Sequence, residues 1–249
     1  MSVIFTKLTH MNTVHDNTPS PVLAIGMVTT AERRDEREKS LDSLGRDDIT
    51  VFEDLRPGLR RNHMAAWQAL FSDPDVTHAL LFQDDVRAPR RWRTAVERFL
   101  EVFPGQYAIS LYSGRKAAST SASATYGHFM LPARDWLNEQ ALLLRREVIV
   151  GFNKWIVDEE YMNVVGPEDV KHHDVLIGAF LASRGERVMC SAPSIFQHSD
   201  APSTVGHPAT IGGRARKAVE WPGEDWDAGE HFRVKLHPRN VLADRTRRM

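Results

Sequence analysis

A run of apolar residues ends in two acids in the stretch ALLFQDDVRAP, residues 79–89. The first four residues are apolar, and the run is short enough for a buried β-strand. Asp84 and Asp85 follow at its tip, and Pro89 prevents the strand from simply continuing. Two acids at the end of a buried strand are costly unless something neutralises them. A divalent cation is the usual partner, because hard cations take carboxylate oxygens; a loop with two solvated acids is the alternative.

The composition is that of a soluble globular protein. The 249 residues are 42% hydrophobic and 26% charged, with a formal net charge of -1. A net charge this small gives no overall field that would attract a polyanion. Cys190 is the only cysteine, which excludes an intrachain disulfide and a cysteine-based zinc site and suits a reducing compartment.

The chain carries no sequence signal for a membrane. No run approaches the roughly 20 apolar residues that a membrane span needs. Residues 1–20 are polar, and we expect them to form a leader before the folded domain. They lack the charged-then-apolar order of a signal peptide. These features predict a cytoplasmic protein without a membrane span.

Apolar runs alternate with charged or amphipathic segments, as strands alternate with helices in α/β proteins. The predicted strands are residues 22–30, 48–55, 79–82, 107–113 and 187–193, with 141–152 as a strand leading into a short helix. The predicted helices are residues 31–44, 59–71, 91–103 and 172–185. Residues 114–127 predict a mobile loop. The pattern predicts an α/β fold with a mostly parallel central sheet flanked by helices and an irregular C-terminal extension.

Polar side chains stand at the exits of three successive predicted strands. They are Thr29 and Thr30, Glu53 and Asp54, and Asp84 and Asp85. Because ligands bind at the carboxyl ends of parallel strands, we expect these residues to line one cleft. A metal held there suits a phosphorylated substrate, since it would bridge diphosphate oxygens. Arg61 and Asn62 open the next helix, where backbone amides and an arginine fork suit a nucleotide.

A second cluster surrounds the start of the helix predicted at 172–185. Asp169, His172, His173 and Asp174 lie there, and acids at a helix start are also favoured simply as caps. Asp174 is followed at once by an apolar run, and an acid beside a buried face near a cleft can serve as a general base. His198 follows the last predicted strand and is a candidate third metal ligand.

Taken in order, these motifs resemble those of GT-A glycosyltransferases, which use a nucleotide-activated sugar. The likeness covers residues 22–207 and is to family 2-like and N-acetylglucosaminyltransferase-like members, whose late Pro-Ser-Leu-x-x-His segment resembles SAPSIFQHSDAPSTVGH. It implies inverting transfer from a nucleoside-diphosphate sugar, with UDP the usual nucleotide, to an acceptor hydroxyl, and Mn2+ or Mg2+ as cofactor. It also implies a GT-A domain at 21–207, with a nucleotide-binding half at 21–113, an acceptor half at 114–207 and an extension at 208–249.

The resemblance also implies residue roles. Asp85 ligates the metal with His198 as a further ligand, Asp84 contacts the ribose or a metal-bound water, and Asp174 is the general base. The donor-binding candidates are Thr29, Thr30, Arg33, Glu53, Asp54, Arg61, Asn62, Gln83 and Asp84. The acceptor or lid candidates are Tyr126, His128, Trp136 and His173. Two residues depart from the family pattern: Gln83 replaces an acid and His173 replaces a glutamate. Because Gln83 brings no charge, we expect weak metal binding without donor and tight binding with it.

The acceptor stays open among a saccharide, a protein side chain, a small metabolite and a modified nucleic-acid base. The arginines at 87, 90, 91 and 93 and the basic C-terminus permit a nucleic acid, although such clusters are more often solvated faces. A sugar-nucleotide pyrophosphorylase or other nucleotidyltransferase is one alternative function. It usually has a glycine-rich phosphate loop after the first strand, and TTAERRDER contains no glycine. A non-catalytic nucleotide-sugar or glycan-binding module is the other.

Overall fold

The computed structural model describes residues 21–54, 59–113, 126–136, 140–166, 172–199, 210–211, 214–215, 218 and 220–236. The described part excludes the side chains of Asp54, Leu59, Arg60, Arg61 and Asn163 and those of residues 210, 211, 214 and 215. The leader predicted at 1–20, Asp169 and most of the loop predicted at 114–127 also lie outside it.

The described strands and helices follow one another in an α/β order. The strands are β1 Leu23–Thr30, β2 Ile49–Asp54, β3 His78–Gln83, β4 Val86–Arg87, β5 Ala108–Ser110, β6 His128–Pro132, β7 Ala141–Arg145, β8 Arg187–Ser191, β9 Gln197–His198, β10 Thr210–Ile211 and β11 Arg214–Ala215. The α-helices are α1 Arg34–Leu44, α2 Leu59–Leu70, α3 Trp92–Val102, α4 Arg146–Val157, α5 His173–Ser183 and α6 Ala228–His231. Short 3-10 turns occupy Ala31–Arg33, Ala133–Asp135 and Glu160–Asn163.

Seven strands form the central sheet in the order β2-β1-β3-β7-β5-β8-β6. Five of them run in one direction, while β7 and β6 run against their neighbours. The predicted α/β fold with a mostly parallel sheet flanked by helices is therefore confirmed. The ends of β1, β2, β3, β5 and β8 share one edge of the sheet, which we call the carboxyl edge. No described helix is long and apolar enough to cross a membrane.

The apolar runs of the sequence bury both faces of the sheet. On one face α2, α4 and α5 cover it, with Trp67, Phe152 and Leu176 in a single hydrophobic cluster. On the other face α1 and α3 supply Leu41 and Phe99 to a second cluster. Strands buried on both faces are near-continuously apolar, as β1 and β3 are. This layered packing holds the acids that follow β3 at the carboxyl edge.

The structure departs from the sequence predictions in its second half. Residues 146–157 form a full helix, α4, where a short one was predicted, and β6 was not predicted at all. The two antiparallel strands have a topological cause. Gln140 already lies at the carboxyl edge, where its carbonyl accepts from the amide of Gln83 at 3.1 Å. The strand that follows, β7, therefore enters the sheet from that edge and runs opposite to β3.

Residues 220–236 of the C-terminal extension pack across α3. The guanidinium of Arg98 donates to the carbonyls of Gly229 at 2.6 Å and Phe232 at 2.7 Å. The Phe232 ring packs on Phe99 with centroids 5.3 Å apart. Farther along, the amide of Lys235 donates to the carbonyl of Tyr126 at 3.0 Å. The extension thus joins the helix α3 to the segment that leads into β6.

This junction generates a stability prediction at Gly127. Its φ is +74°, and an added Cβ would lie 1.9 Å from the carbonyl oxygen of Arg233. Gly185 is the matched control, with φ +70° and nothing within 4 Å of an added Cβ. Gly185→Ala should cost about 1 kcal/mol of unfolding free energy for backbone strain alone. Gly127→Ala should cost roughly 2 kcal/mol more, because the extension must shift. Equal losses in urea unfolding would contradict the close contact.

Candidate functional site

The two acids after β3 are buried, and one arginine bridges them. Asp84 is 5% exposed, Asp85 is 7% exposed and Arg33 is 8% exposed. The Nε of Arg33 donates to Asp84 Oδ1 at 2.7 Å, and its Nη2 donates to Asp85 Oδ2 at 2.9 Å. Charge-assisted hydrogen bonds at these distances are strong. The acid pair is thus neutralised in part by a residue 51 positions earlier in the chain.

Neighbouring hydroxyl groups complete the surroundings of Asp84. Thr29, near the end of β1, donates from its Oγ1 to Asp84 Oδ2 at 2.8 Å. Ser40 of α1 donates from its Oγ to the backbone carbonyl of Asp84 at 2.7 Å. Both carboxylate oxygens of Asp84 therefore have donors, and the turn that carries the acid is attached to β1 and α1.

A two-residue ladder brings His198 to the acids. Strands β4 and β9 pair with Val86 opposite His198, which places the imidazole Nε2 3.2 Å from Asp85 Oδ2. The other ring nitrogen, Nδ1, contacts the backbone carbonyl of Ser199. Proximity of His198 to Asp85 thus agrees with its predicted place in the site.

Burial and charge shift the two carboxyl groups in opposite directions. Burial, together with the charge of Asp85, raises the pKa of Asp84 to about 6, against the opposing effect of Arg33. Burial alone would also raise the pKa of Asp85. The hydrogen bond and charge of His198 and the charge of Arg33 outweigh it, so the pKa of Asp85 lies below its usual value. Near neutral pH both groups are ionised, and Asp84 is the one that protonates first.

The donor set around Asp85 fits a divalent cation in its chemistry. Carboxylate oxygens and an imidazole nitrogen suit Mn2+, and carboxylate oxygens suit Mg2+. Asp85 Oδ1 is buried and has no hydrogen-bond partner among the described residues. Among the described residues, no group of three or more His, Cys, Asp or Glu side chains is arranged to hold a metal ion. The guanidinium of Arg33 lies between Asp84 and Asp85. A metal ion held by both acids would have to occupy that position.

Several predicted donor-binding residues meet at the carboxyl edge. Asn62, in the first turn of α2, donates from Nδ2 to the carbonyls of Thr29 at 3.2 Å and Phe52 at 3.4 Å, joining the ends of β1 and β2. The exposed Glu53 accepts from Arg37 Nη1 at 2.6 Å. The edge also carries Thr30 and Gln83 at the ends of β1 and β3. The side chains of Asp54 and Arg61 lie outside the described residues.

A chain of contacts places Asp174 near the same edge. The ring of His173 lies 5.2 Å from that of His63 of α2, next to Asn62, and its Nε2 contacts Met64 Sδ at 3.3 Å. Asp174 follows in the first turn of α5, and its Oδ1 accepts from the amide of Val175 at 2.9 Å. His173 is only 2% exposed and also packs edge-on against Phe152. His173 therefore lies between helices and not in an open cleft.

Two further acceptor or lid candidates, His128 and Trp136, are buried in the structure. His128 is buried at the start of β6, where its Nδ1 contacts the carbonyl of Tyr126 at 3.0 Å and its ring packs on Phe103. Trp136 is 2% exposed, and its backbone lies against Gly178 of α5. A ring this buried belongs to the core, so it is not placed to stack on a sugar in this structure.

Three of the clustered arginines make contacts within the protein. Arg87 donates to Glu36 Oε2 at 3.2 Å, and Arg91 donates to both oxygens of Asp227. Arg93 donates to the carbonyl of Asp47 at 2.7 Å and stacks over Trp92. These contacts attach α1, α3 and the C-terminal extension to one another.

Some site contacts gave little signal in the sequence. Ser40 reads as an ordinary residue of a charged helix, yet its hydroxyl holds the backbone of Asp84. Ser199 donates from its amide to the carbonyl of Asp85 at 2.6 Å. Arg33 was a donor-binding candidate, but nothing in its local pattern indicated that it bridges both acids. Each contact joins segments far apart in sequence, which periodicity and motif spacing do not relate.

Comparison with known proteins gives structural matches only. No protein family model matches the sequence. A comparison with curated protein sequences finds no match either.

Solved structures similar to the chain have low sequence identity. A glycosyltransferase involved in glycosylation of the major capsid of PBCV-1 matches with a TM-score of 0.47 and 11% identity, over 74% of this chain and 95% of that one. A197 from STIV matches at 0.43 and 11%, over 71% and 84%. A mutant of Drosophila beta1,4-galactosyltransferase 7 in complex with manganese, UDP-Gal and xylobiose matches at 0.41 and 12%, over 86% and 81%. Identities this low transfer no residue role.

The raised pKa of Asp84 generates a pH prediction. A pKa of about 6 in the folded protein, above the ordinary value of 3.8, means that the folded state holds this proton more tightly than the unfolded state. Through Asp84 the unfolding free energy therefore rises as pH falls from about 7 to about 4, and this gain is lost as pH rises through 6. Asp85 acts the other way, since its stabilisation is lost only as pH falls below about 4.

Asp84→Asn removes this dependence. Between pH 8 and pH 4.5, wild type should gain about 2 kcal/mol of unfolding free energy relative to the variant. Urea unfolding at the two pH values measures the change. Asp158→Asn is the matched control because it makes the same substitution at an exposed residue. A constant difference between wild type and Asp84→Asn would contradict the burial of an ionised Asp84.

Proposed function

We propose that the protein is a GT-A glycosyltransferase that moves a sugar, with inversion, from a nucleoside-diphosphate sugar, UDP in the first instance, to an acceptor hydroxyl. One observation carries the proposal. Two buried acids lie where the central strands end, partly neutralised by an arginine and with one carboxylate oxygen left unpaired. Such a cluster suits a ligand that brings both a cation and a diphosphate.

The ends of β1 and β2 supply the nucleotide part of the proposed site. Asn62 fixes the spacing between these strand ends through the carbonyls of Thr29 and Phe52. Glu53, at the exposed end of β2, offers a carboxylate to the ribose or base once its contact with Arg37 is exchanged. The first turn of α2 presents backbone amides, which favour a phosphate or another anion. These groups bind and orient the donor; none of them takes part in bond breaking.

Asp85, with Asp84 and His198, would hold the divalent cation. A bound cation would supply positive charge close to the diphosphate as negative charge develops on it. Thr29 and Ser40 keep Asp84 and its backbone in place, and the pairing of β4 with β9 keeps His198 beside Asp85. For His198 to ligate through Nε2, that nitrogen must carry no proton.

Asp174 is the proposed general base. It lies in the first turn of α5, next to the His173–His63 contact that joins this helix to the carboxyl edge. The acceptor oxygen forms a bond to the anomeric carbon while its proton passes to the Asp174 carboxylate. The bond from the anomeric carbon to the diphosphate oxygen breaks, and its electron pair leaves with the nucleoside diphosphate. Attack from the face opposite to the leaving group inverts the anomeric centre.

A nucleotidyltransferase is less well supported by the contacts. The segment after β1 forms a short 3-10 turn, Ala31–Arg33, and continues directly into α1. Its arginine is directed at the acid pair, and the turn contains no glycine to let a backbone approach a triphosphate closely. Measuring donor turnover distinguishes an enzyme from a module that only binds a nucleotide sugar.

The test combines donor binding with donor turnover. A panel of nucleotide sugars with Mn2+ is screened for thermal stabilisation, because a ligand that binds only the folded state raises stability. Release of nucleoside diphosphate from the stabilising donor is then measured. Asp174→Asn should keep the stabilisation and lower turnover by about 10²–10⁴-fold, since only proton transfer is lost. Asp85→Asn should lose both.

Asp158→Asn provides the control, because it makes the same substitution at an exposed acid just after α4. Near-wild-type turnover in a folded Asp174→Asn variant would contradict the base assignment. Unchanged turnover after EDTA treatment would contradict the metal role of Asp85. Stabilisation without any release of nucleoside diphosphate would identify a binding module instead.

A further inference from the structure

Arg33 occupies the position between the acids that a bound cation would need. Its two hydrogen bonds, with those from Thr29 and His198, engage three of the four carboxylate oxygens. Of these four oxygens, only Asp85 Oδ1 has no hydrogen-bond partner in the described part of the chain. A divalent cation takes several oxygen ligands, so one open oxygen is a poor site. The positive guanidinium beside it would also repel a second cation.

We propose that Arg33 is an exchangeable counter-ion: it holds the acid pair until a diphosphate draws it away, so that cation and donor bind together. The inference rests on the proposed function and adds that Arg33 couples the binding of the cation to the binding of the donor. On this inference, the protein binds a cation weakly without donor because Arg33 occupies the acids. The sequence had suggested a different cause, the missing charge at Gln83.

The charges balance before and after the exchange. In the donor-free protein, one guanidinium faces two carboxylates, and Asp84 and Asp85 share it. A divalent cation and a doubly charged diphosphate arrive as a nearly neutral pair. The carboxylates can then take the cation, and the fork of Arg33 can take phosphate oxygens, which it matches in a bidentate way. No ionised group is left buried and unpaired by this exchange.

The location of Arg33 suits such a movement. It ends the 3-10 turn Ala31–Arg33 and stands at the N-cap of α1, beyond the last hydrogen-bonded residues of β1. Its guanidinium therefore belongs to a junction at the carboxyl edge and not to the middle of a strand or helix. A diphosphate at this edge would also lie near the amino-terminal turn of α1, which favours anions.

A permanent structural ion pair is the alternative, and Asp85 Oδ1 argues against it. Buried polar atoms in folded proteins are almost always hydrogen-bonded, because an unpaired one keeps the full cost of its desolvation. Among the described residues, Asp85 keeps one oxygen without a hydrogen-bond partner although the acid is more than nine-tenths buried.

The test is a titration of the full chain with Mn2+ alone, by isothermal calorimetry or by the electron paramagnetic resonance of free Mn2+. Wild type should bind weakly. Arg33→Gln removes the competing charge and should bind Mn2+ about 100-fold more tightly. Arg46→Gln is the matched control, since it removes the same charge from an exposed arginine of α1's C-terminal flank and should behave as wild type. Arg33→Gln combined with Asp85→Asn should lose the gained affinity.

A second arm adds UDP. In wild type, UDP should raise the affinity for Mn2+ by tenfold or more, on the order expected for coupled sites, and Arg33→Gln should lose most of this coupling. Circular dichroism checks that each variant is folded. Arg33→Lys is the second variant should Arg33→Gln unfold: one ammonium cannot bridge both acids as a fork does, so Mn2+ affinity should rise to an intermediate value.

Two results would overturn the inference. One is an Arg33→Gln variant, or a folded Arg33→Lys variant, with the Mn2+ affinity of wild type. The other is a wild-type protein that binds Mn2+ equally well with and without UDP. Failure of the proposed function looks different: no nucleotide sugar stabilises any variant, while the Mn2+ titration still reports whether Arg33 competes for the acids.

Discussion

The burial of two adjacent carboxylates against one arginine is the constraint on which the rest of the site depends. Asp84 and Asp85 follow a strand that is buried on both faces, so neither side chain can turn fully into water. Arg33 meets both acids, and the first turn after β1 must therefore lie beside the end of β3. The parallel pairing of β1 with β3, Val28 opposite Gln83, sets that distance.

Other contacts hold the same point from several directions. Ser40 attaches α1 to the backbone of Asp84, and the β4–β9 ladder attaches the chain after β8 through His198. The ends of β1 and β2 are joined by Asn62. Segments from both halves of the chain thus converge on two acids. Among the described residues, these supports leave Asp85 Oδ1 without a hydrogen-bond partner.

The strands and helices of the first half could be predicted from the sequence. Apolar runs and amphipathic segments there follow the periods of strand and helix closely. It also indicated that polar strand ends share one edge, since the directions of β1, β2 and β3 follow from their helical connections. The reversed direction of β7 was not predictable in the same way, because it depends on where the preceding segment leaves the sheet. Residues 220–236 have no periodic pattern that would predict their packing on α3. Several of the contacts are hydrogen bonds from arginine to backbone carbonyls, such as those of Arg98. Arg33 lay in a charged segment that reads as a solvated helix start, and only the folded chain shows that its partners are 51 and 52 residues away.

The central claim is that the acids and Arg33 exchange partners when a metal–diphosphate ligand binds at the carboxyl edge. A crystal structure of the protein with UDP and Mn2+, with anomalous scattering to locate the manganese, tests it most directly. The account predicts a manganese peak coordinated by Asp85, and an Arg33 guanidinium that has left both acids and donates to the diphosphate. Nucleotide bound elsewhere, or bound beside acids that Arg33 still bridges, would contradict it.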